Sequence, residues 1–473
     1  MIYTLNYTRY NIVKEIVNNI MHNIDSFQSF TNIIFSFVNQ KIIEWNPYQT
    51  IKLVKQMSQS IMIVLSEWIK MKCKKTDTIG FIKHTVTRLS RVNMLYIKFF
   101  QWITSSIIYE NDELKKIFLN LSEKVEYTDN DIDYATLLGI VNEKKIKLDS
   151  LSPINSGTIS LIYKGIMNIQ EKPIVIKLLR NNIEKTLKDS LHFFDIITYL
   201  TSFVPYLYAF HFNNIIRENT HILLEQQNFT KEIDNMERFK DAFKDSSYVV
   251  IPNVYTKYTN LYPSAIVMDF IQGKTVYELT KEERYIYYVL LCDFIVECML
   301  DHNLFHGDLH TGNILFLREE GEEGPKYKLG ILDYGITYFY NDEIKEYVFR
   351  FFKHHTFKEF ELMFIFLIEV VSKKKNVNIT TEYETNVIVN ELMKYKIEYN
   401  LLQDEIKSND LYFINHVLAK YNLYLSLEFS KILMSTFSLY SLVTILKDST
   451  APKEEYILEN AIKRYINKVS EDT

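Results

Sequence analysis

The stretch from His306 to Gly335 constrains this chain more than any other part. It begins His306-Gly307-Asp308-Leu309-His310-Thr311-Gly312-Asn313-Ile314-Leu315, passes through a Gly-rich, acidic section, and ends Leu332-Asp333-Tyr334-Gly335. An Asp followed five residues later by an Asn and then by an apolar, strand-like run suits phosphoryl transfer. Asp308 can orient an attacking hydroxyl or accept its proton, while the Asn313 amide oxygen ligates Mg²⁺. Twenty residues beyond Asn313, the Asp333 carboxylate follows a second apolar run, Leu329–Leu332. From there it can reach a metal that bridges nucleotide phosphates. The intervening Glu319-Glu320-Gly321-Glu322-Glu323-Gly324-Pro325 reads as a solvated hairpin loop between two strands, not as a metal site.

Such chemistry needs a cation held over the phosphates, and the sequence offers one upstream. Pro173-Ile174-Val175-Ile176-Lys177-Leu178 is a buried strand with a single Lys near its end. A Glu lies in Phe229-Thr230-Lys231-Glu232-Ile233-Asp234-Asn235-Met236-Glu237-Arg238-Phe239, a helical pattern whose apolar stripe is Phe229, Met236 and Phe239. A Lys177–Glu232 pair would fix the ammonium where it can meet α- and β-phosphates. Before the lysine, Ile154-Asn155-Ser156-Gly157-Thr158-Ile159-Ser160-Leu161-Ile162-Tyr163-Lys164-Gly165 reads as strand–turn–strand with small residues at the turn. Backbone N–H groups there can approach a phosphate. Gly273-Lys274-Thr275 mimics the end of a Walker loop, but position 268 is Met where that loop needs Gly.

The rest of the chain is organised around these motifs. Residues 1 to about 75 carry helix-like spacing, as in Ile12, Ile16, Ile20 and later Ile61, Val64, Leu65, Trp68. Lys72-Cys73-Lys74-Lys75-Thr76-Asp77 reads as a boundary, and a second helical block runs from Ile79 to about Leu121. Short β-like runs follow at Ile159–Tyr163, Ile174–Leu178, Ile222–Leu224 and Ala265–Phe270. Long helical patterns return after Gly273. The expected division is 1–75, 76–150, 151–272 and 273–473. Apolar residues are 47% and charged residues 24% of 473, which excludes a mainly disordered chain. A net charge of −5 disfavours a general nucleic-acid binder. Cys73, Cys292 and Cys298 offer neither a disulfide framework nor a metal knuckle, which favours a reducing compartment. The N-terminus lacks a signal pattern, and the uncharged run Ile432–Leu446 is too short to span a membrane and reads as a buried helix. A cytoplasmic or other intracellular location is expected, with peripheral membrane contact compatible with it. His354-His355 belongs to no zinc pattern.

Taken in order, these motifs form the pattern of the protein-kinase-like fold, with Asp-Tyr-Gly where kinases usually carry Asp-Phe-Gly. More narrowly, the chain resembles the UbiB-type atypical kinases, which are linked to coenzyme Q biosynthesis. That family carries His-Ala-Asp-Pro-His-Pro-Gly-Asn, matched by His306–Asn313. Its Glu-Ala-x-Asn is matched at both ends by Glu232-Ile233-Asp234-Asn235. Its Ile-Pro-x-Val and Met-Glu-x-x-x-Gly look like Ile251-Pro252-Asn253-Val254 and Met268-Asp269-Phe270-Ile271-Gln272-Gly273. A helical Ile183–Leu200 segment between Lys177 and Glu232 is also like that family. Its hallmark Lys-x-Gly-Gln looks like Lys98-Phe99-Phe100-Gln101, with Phe100 in the Gly position. The resemblance covers roughly residues 80 to 340.

The resemblance implies an α+β, two-lobed protein-kinase-like fold with an N-terminal helical extension, using ATP and Mg²⁺. It assigns Asp308 to catalysis and Asn313 and Asp333 to the metal. Ile154, Ser156, Gly157, Thr158, Ser160, Ile162, Lys177 and Glu232 fall to the nucleotide, and Asp269, Phe270 and Ile271 to the hinge between lobes. Lys98 and Gln101 would lie in the extension that covers the cleft. Candidate partners are a nucleotide, a lipid or phenolic small molecule and a membrane surface. Two other readings stand beside it. One is a small-molecule kinase of the aminoglycoside or choline type, which shares His-Gly-Asp-Leu-His-x-Gly-Asn but usually lacks the Gly of Asp-Tyr-Gly. The other is a nucleotide-gated pseudokinase, which retention of Lys177, Glu232, Asp308, Asn313 and Asp333 argues against.

Overall fold

The computed structural model describes residues 47–93, 95–97, 125–144, 146–167, 171–201, 224–322, 324–375, 382–399 and 457–471, with scattered positions between 414 and 446. The elements begin with helices α1 (Pro47–Lys72), α2 (Thr78–Val92) and α3 (Tyr134–Lys144). Strands β1 (Ile146–Leu148), β2 (Asn155–Ser156), β3 (Ser160–Met167) and β4 (Lys172–Leu179) follow, then α4 (Ile183–Thr201) and α5 (Phe229–Ala242). Next come β5 (Val249–Val250), α6 (Thr256–Leu261), β6 (Ala265–Asp269) and α7 (Lys281–Val296). Strands β7 (Leu304–His306), β8 (Ile314–Gly321), β9 (Gly324–Ile331) and β10 (Thr337–Phe339) precede α8 (Asp342–Thr356), α9 (Phe360–Lys375), α10 (Glu382–Tyr399) and α11 (Ile457–Glu471).

The chain divides into two compact units, one drawn from residues 1–98 and 184–221, the other from 99–183 and 222–473. The first is helical where described. The Asp77 side chain caps α2 by accepting the Gly80 N–H at 2.7 Å. Buried Glu67 of α1 accepts from Arg88 of α2 at 2.6 Å and from Lys70 at 2.7 Å, and Lys52 reaches Asp189 of α4 at 2.7 Å. The Lys72–Asp77 stretch is thus the turn between two helices of one unit. Leu53, Ser60, Ile63 and Glu67 form the inward face of α1, while Ile61, Val64 and Leu65 lie on its exposed side.

In the larger unit the sheet order is β1-β3-β4-β6, with β2 on β3, and all pairs are antiparallel. The expected runs at 159–163, 174–178 and 265–270 are β3, β4 and β6; Ile222 and Leu223 lie outside the described residues, and Leu224 is helical. The sheet begins before residue 151, because Ile146–Leu148 pairs with β3. On β4, alternation puts Ile174, Ile176 and Leu178 on the face that packs with Leu137, Ile140 and Tyr258. Val175 and Lys177 take the opposite face, where Val175 joins Phe229, Ile233 and Met236 of α5.

The acidic section folds as a tight hairpin. β8 and β9 run through it to a Gly321–Gly324 pair, so the loop is two residues where seven were expected. Gly324 has φ +116°, a conformation that glycine alone adopts without strain. β5 adds to β9 in parallel, and β7 pairs with β10. Helices α7 to α11 bury Leu291, Phe294, Val348, Phe351, Met363 and Phe364 in one core. In the Ile432–Leu446 run the described Leu439, Leu442 and Leu446 are helical and buried. Among the described residues no helix is long and apolar enough to cross a membrane.

His355 of α8 lies in this core at 8% exposure, and its Nε2 has no hydrogen-bond partner. Burial, with Lys358 and Lys396 adding to it, lowers its pKa from 6.5 to about 4. The unfolded chain therefore takes up a proton that the folded chain refuses as pH falls from about 6.5 toward 4. Stability should drop over that window by an amount of the order of 3 kcal/mol from this residue. Urea midpoints at pH 7.5 and 4.5 should converge for His355→Leu relative to wild type; an unchanged gap would refute the assignment.

Candidate active site

The position of Lys177 follows from strand register. Lys177 stands opposite Ile162 of β3 and Ile266 of β6, so all three project from one face of the sheet. Val175 and Met268 neighbour each other on that face. Across from it, α5 buries Phe229, Glu232, Ile233, Met236 and Phe239, a stripe at helical spacing, and the Asn228 side chain caps it by accepting the Lys231 N–H at 3.1 Å. Glu232 is inside that stripe and 2% exposed. Lys177 Nζ donates to Glu232 Oε1 at 2.6 Å and to Asp333 Oδ2 at 2.8 Å.

These charges set one another's protonation. Burial alone would depress the Lys177 pKa, but the carboxylates of Asp333 and Glu232 outweigh it and hold the ammonium above its ordinary value. Burial would raise Asp333, yet Lys177 and the Gly335 N–H keep it well below the usual carboxylate range. Burial pushes Glu232 up to about 7; Lys177 opposes this and the Asp333 carboxylate adds to it. The site thus holds a fixed cation, a firmly ionised Asp333, and a Glu232 whose carboxyl burial pushes upward while Lys177 opposes it.

His306 connects this group to the loop of Asp308. Its Nδ1 accepts the Asp308 N–H at 3.2 Å, so the proton resides on Nε2, which donates to the Asp333 carbonyl. Burial lowers its pKa and keeps it neutral. Asn313 Nδ2 donates to the Asp308 carbonyl at 2.8 Å, leaving its amide oxygen as the group's acceptor. Asp333 Oδ1 accepts the Gly335 N–H at 2.9 Å, and Asn235 of α5 donates to the Tyr334 carbonyl at 2.9 Å. His306, Asn235 and the Lys177–Asp333 contact were absent from the sequence reading of the site. His306 and Asn235 were in view only as motif letters.

Gly307 stands where the UbiB pattern has Ala, and the packing gives the reason. A Cβ there would fall 2.4 Å from Ile336 Cγ2 and 2.8 Å from Tyr338 Cε2 on the segment that pairs with β7. His310 Nδ1 accepts the Gly312 N–H at 3.0 Å, and its Nε2 lies 3.9 Å from Asp308 Oδ2.

The nucleotide-loop candidates are less open than expected. Ser156 Oγ donates to the Val125 carbonyl at 2.7 Å, and Gly157 N–H donates to the Ser160 carbonyl at 2.9 Å. Thr158 and Ser160 are buried, Ile154 is exposed, and Ile162 is on the Lys177 face. Of the hinge candidates, the Asp269 carboxylate is committed to Lys172 at 2.8 Å, Asn253 at 2.7 Å and Tyr255 at 2.7 Å. Phe270 N–H donates to the Pro173 carbonyl at 3.1 Å, and Ile271 is buried. Lys98 and Gln101 lie outside the described residues.

Among the described residues no cluster of three or more His, Cys, Asp or Glu could hold a metal. One carboxylate, Asp333, with one amide oxygen, Asn313, fits Mg²⁺, which keeps several waters and draws remaining ligands from substrate phosphates. Such a set does not fit zinc, which needs three or four strong protein ligands.

Residues 146–364 match the family model of the ABC1 atypical kinase-like domain. This part of the chain is an ABC1-type, kinase-like domain. A probable protein kinase UbiB from Blochmanniella pennsylvanica is 29% identical over 220 residues, which are 44% of this chain and 39% of that protein. A probable serine/threonine-protein kinase, abkB, from Dictyostelium discoideum is 28% identical over 197 residues, 39% of this chain and 28% of its own length. The matches therefore span well under half of either relative. A solved structure of an Rv3197–erythromycin complex from Mycobacterium tuberculosis aligns at TM-score 0.41 and 13% identity, covering 87% of this chain and 94% of that one.

The kinase-like domain should be sensitive to its central cation. Lys177→Met should cost about 3–5 kcal/mol, chiefly by stranding the buried Glu232 carboxylate beside the half-buried Asp333. Adding Glu232→Gln should restore part of that loss, because the orphaned charge is removed. Urea denaturation of the single and double variants checks this; additive losses would show that the pair is not coupled.

Proposed function

We infer that the kinase-like domain binds a nucleoside triphosphate with Mg²⁺ and transfers or hydrolyses its terminal phosphoryl group. The observation that carries this reading is the Lys177 ammonium, anchored by Glu232 at 2.6 Å and set 2.8 Å from the ionised Asp333. Lys177 would hold the α- and β-phosphates, and Asp333 with the Asn313 oxygen would hold the metal, which supplies charge neutralisation across the phosphates when bound. Asp308, aligned through His306 and Asn313, would orient a hydroxyl or water and take its proton. Ile162, Ile266 and Met268 give the same sheet face an apolar surface suited to a purine ring. With the side chain of Asp269 committed elsewhere, hinge contacts to the base would come from backbone groups.

The acceptor is proposed as water or a small, lipid-like or phenolic hydroxyl compound, and a tie to quinone or lipid metabolism rests on the UbiB likeness. Compared with a small-molecule kinase of the aminoglycoside or choline type, this reading is favoured by the ABC1 domain match and by Gly335. A Cβ at Gly335 would crowd Asp333 Oδ1 at 3.2 Å.

Two substitutions separate binding from chemistry. Asp333→Asn should largely abolish the Mg²⁺-dependent part of an ATP-induced thermal shift; equal shifts in wild type and variant would remove Asp333 from the metal site. Asp308→Asn should reduce ATP turnover by about 10²-fold or more while nucleotide affinity is retained. If wild type binds Mg·ATP yet turns over no faster than Asp308→Asn under any acceptor, the domain is a nucleotide-gated binding module instead.

A further inference from the structure

Arg180 follows β4, and its side chain is only 7% exposed although it ends in a full positive charge. Nε donates to the Gly157 carbonyl at 3.0 Å, and Nη2 donates to Ser156 Oγ at 2.9 Å and to the Glu126 carbonyl at 3.2 Å. Nη1 lies 3.4 Å from Asp131 Oδ2. The backbone closes the same junction. Val125 N–H donates to the Ser156 carbonyl at 2.9 Å, Arg180 N–H to Ile159 at 2.9 Å, and Asn181 N–H to Asp131 at 2.7 Å. Three separate pieces of chain, the 125–131 segment, the 155–160 turn and the end of β4, meet on one guanidinium.

Packing does not account for that choice of residue. A buried guanidinium is costly to desolvate, and an apolar side chain would fill the space with less penalty. What Arg offers is a planar fork of five donors that can serve two carbonyls, a hydroxyl and a carboxylate at once. The turn it grips leads directly into β3, where Ile162, two residues past the turn, pairs with Lys177. Within the turn itself a single bond, from the Gly157 N–H to the Ser160 carbonyl at 2.9 Å, closes the loop. Gly157 is flexible by type, and a Cβ there would meet nothing closer than Ser160 O at 3.5 Å. Its shape is set from behind.

We propose that Arg180 is a positioning residue for the phosphate end of the nucleotide site, locking the Asn155–Ser160 turn to the Val125–Asp131 segment. The proposal rests on the nucleotide reading given above. It assigns to Arg180 affinity for the phosphate chain, not for the nucleoside, because the sheet face beneath the base owes nothing to this junction. The guanidinium touches no phosphate in this role; it acts through the turn.

The test is competition binding on the full chain with Mg²⁺, using a fluorescent ATP analogue as tracer and ATP, ADP and adenosine as competitors. Arg180→Met should weaken ATP and ADP by about tenfold while adenosine stays within about twofold, a loss equal to one charge-assisted hydrogen-bond set. Arg180→Lys, which keeps the charge but not the fork, should fall with Met and not with wild type. Ser156→Ala removes one partner and should give a smaller loss of the same selectivity, which covers the case in which Arg180→Met does not fold. Equal weakening of adenosine and ATP would reduce Arg180 to a structural role and overturn the proposal. So would wild-type affinities in both Arg180→Lys and Ser156→Ala. Wild-type protein that binds ATP with unaltered variants overturns this proposal alone, whereas wild-type protein that binds no nucleotide overturns the nucleotide reading and this one with it.

Discussion

The Lys177 ammonium is the group on which the rest of the site depends. It is 6% exposed and lies between the fully buried carboxylate of Glu232 and the half-buried carboxylate of Asp333. An isolated charge in that position would be lost to deprotonation, so the pairing is what keeps it a cation. The arrangement also carries one more carboxylate than cation. That excess shows in Glu232, whose pKa rises to about 7 although it touches an ammonium, because burial and Asp333 work against it. A divalent cation on the Asp333 side would relieve the imbalance, and phosphates on the Lys177 side would replace what Asp333 then gives up. The charge pattern is therefore suited to receive a metal and an anion together better than either alone.

Such a triad requires that three elements far apart in sequence agree in register. β4 contributes by alternation, since a one-residue slip would send Lys177 into the Leu137–Tyr258 core and Ile176 into the site. α5 contributes by placing Glu232 in its buried stripe and then fixing itself to the Asp-Tyr-Gly backbone through Asn235. His306 does the same from the other side, with one nitrogen on the Asp308 N–H and the other on the Asp333 carbonyl. A neutral imidazole is the only state that can accept and donate in this way, and burial enforces that state. Asp333 and the loop of Asp308 are thus held by backbone contacts independent of any ligand.

Much of this was legible in the sequence, and the limits of legibility are physical. Lys177, Glu232, Asp308, Asn313 and Asp333 could be named because each is a polar residue interrupting an apolar strand or helix pattern at a spacing the chemistry needs. Strands β3, β4 and β6 could be placed because their faces are buried and their runs are β-branched. The acidic hairpin was misread as a seven-residue loop because Glu is a poor strand former; cross-strand Lys326 and Lys328 offset the carboxylates, as in Lys328–Glu319 at 2.6 Å, and Arg318 does so along its own strand through Glu320 at 3.0 Å. The outward turn of Ile61, Val64 and Leu65 on α1 was not readable, because α1 has apolar residues on both faces and the burial of Glu67 against Arg88 decides which one turns inward. The commitments of Ser156 and Asp269 to other protein groups were invisible for a related reason. A polar residue in a motif looks available until its partners, distant in sequence, are seen.

The economy of glycine in this chain bears on the same point. With 11 glycines in 473 residues, close backbone approach cannot be obtained by default and is reserved for a few places. Gly307 is one, where Ile336 and Tyr338 occupy the space a side chain would need, and Gly335 is another, against Asp333. The Asn155–Ser160 turn receives only Gly157, and two of its polar groups are turned inward to Val125 and Ser160. A glycine-rich loop can close over phosphates because it is mobile, whereas this turn is short, internally bonded and held on its far side by a buried guanidinium. Its contribution to a ligand must then come from being already in place, which lowers the entropic cost of binding but leaves little freedom to wrap the ligand. A domain built so should favour ligands that fit the preformed cleft over those that require the loop to follow them.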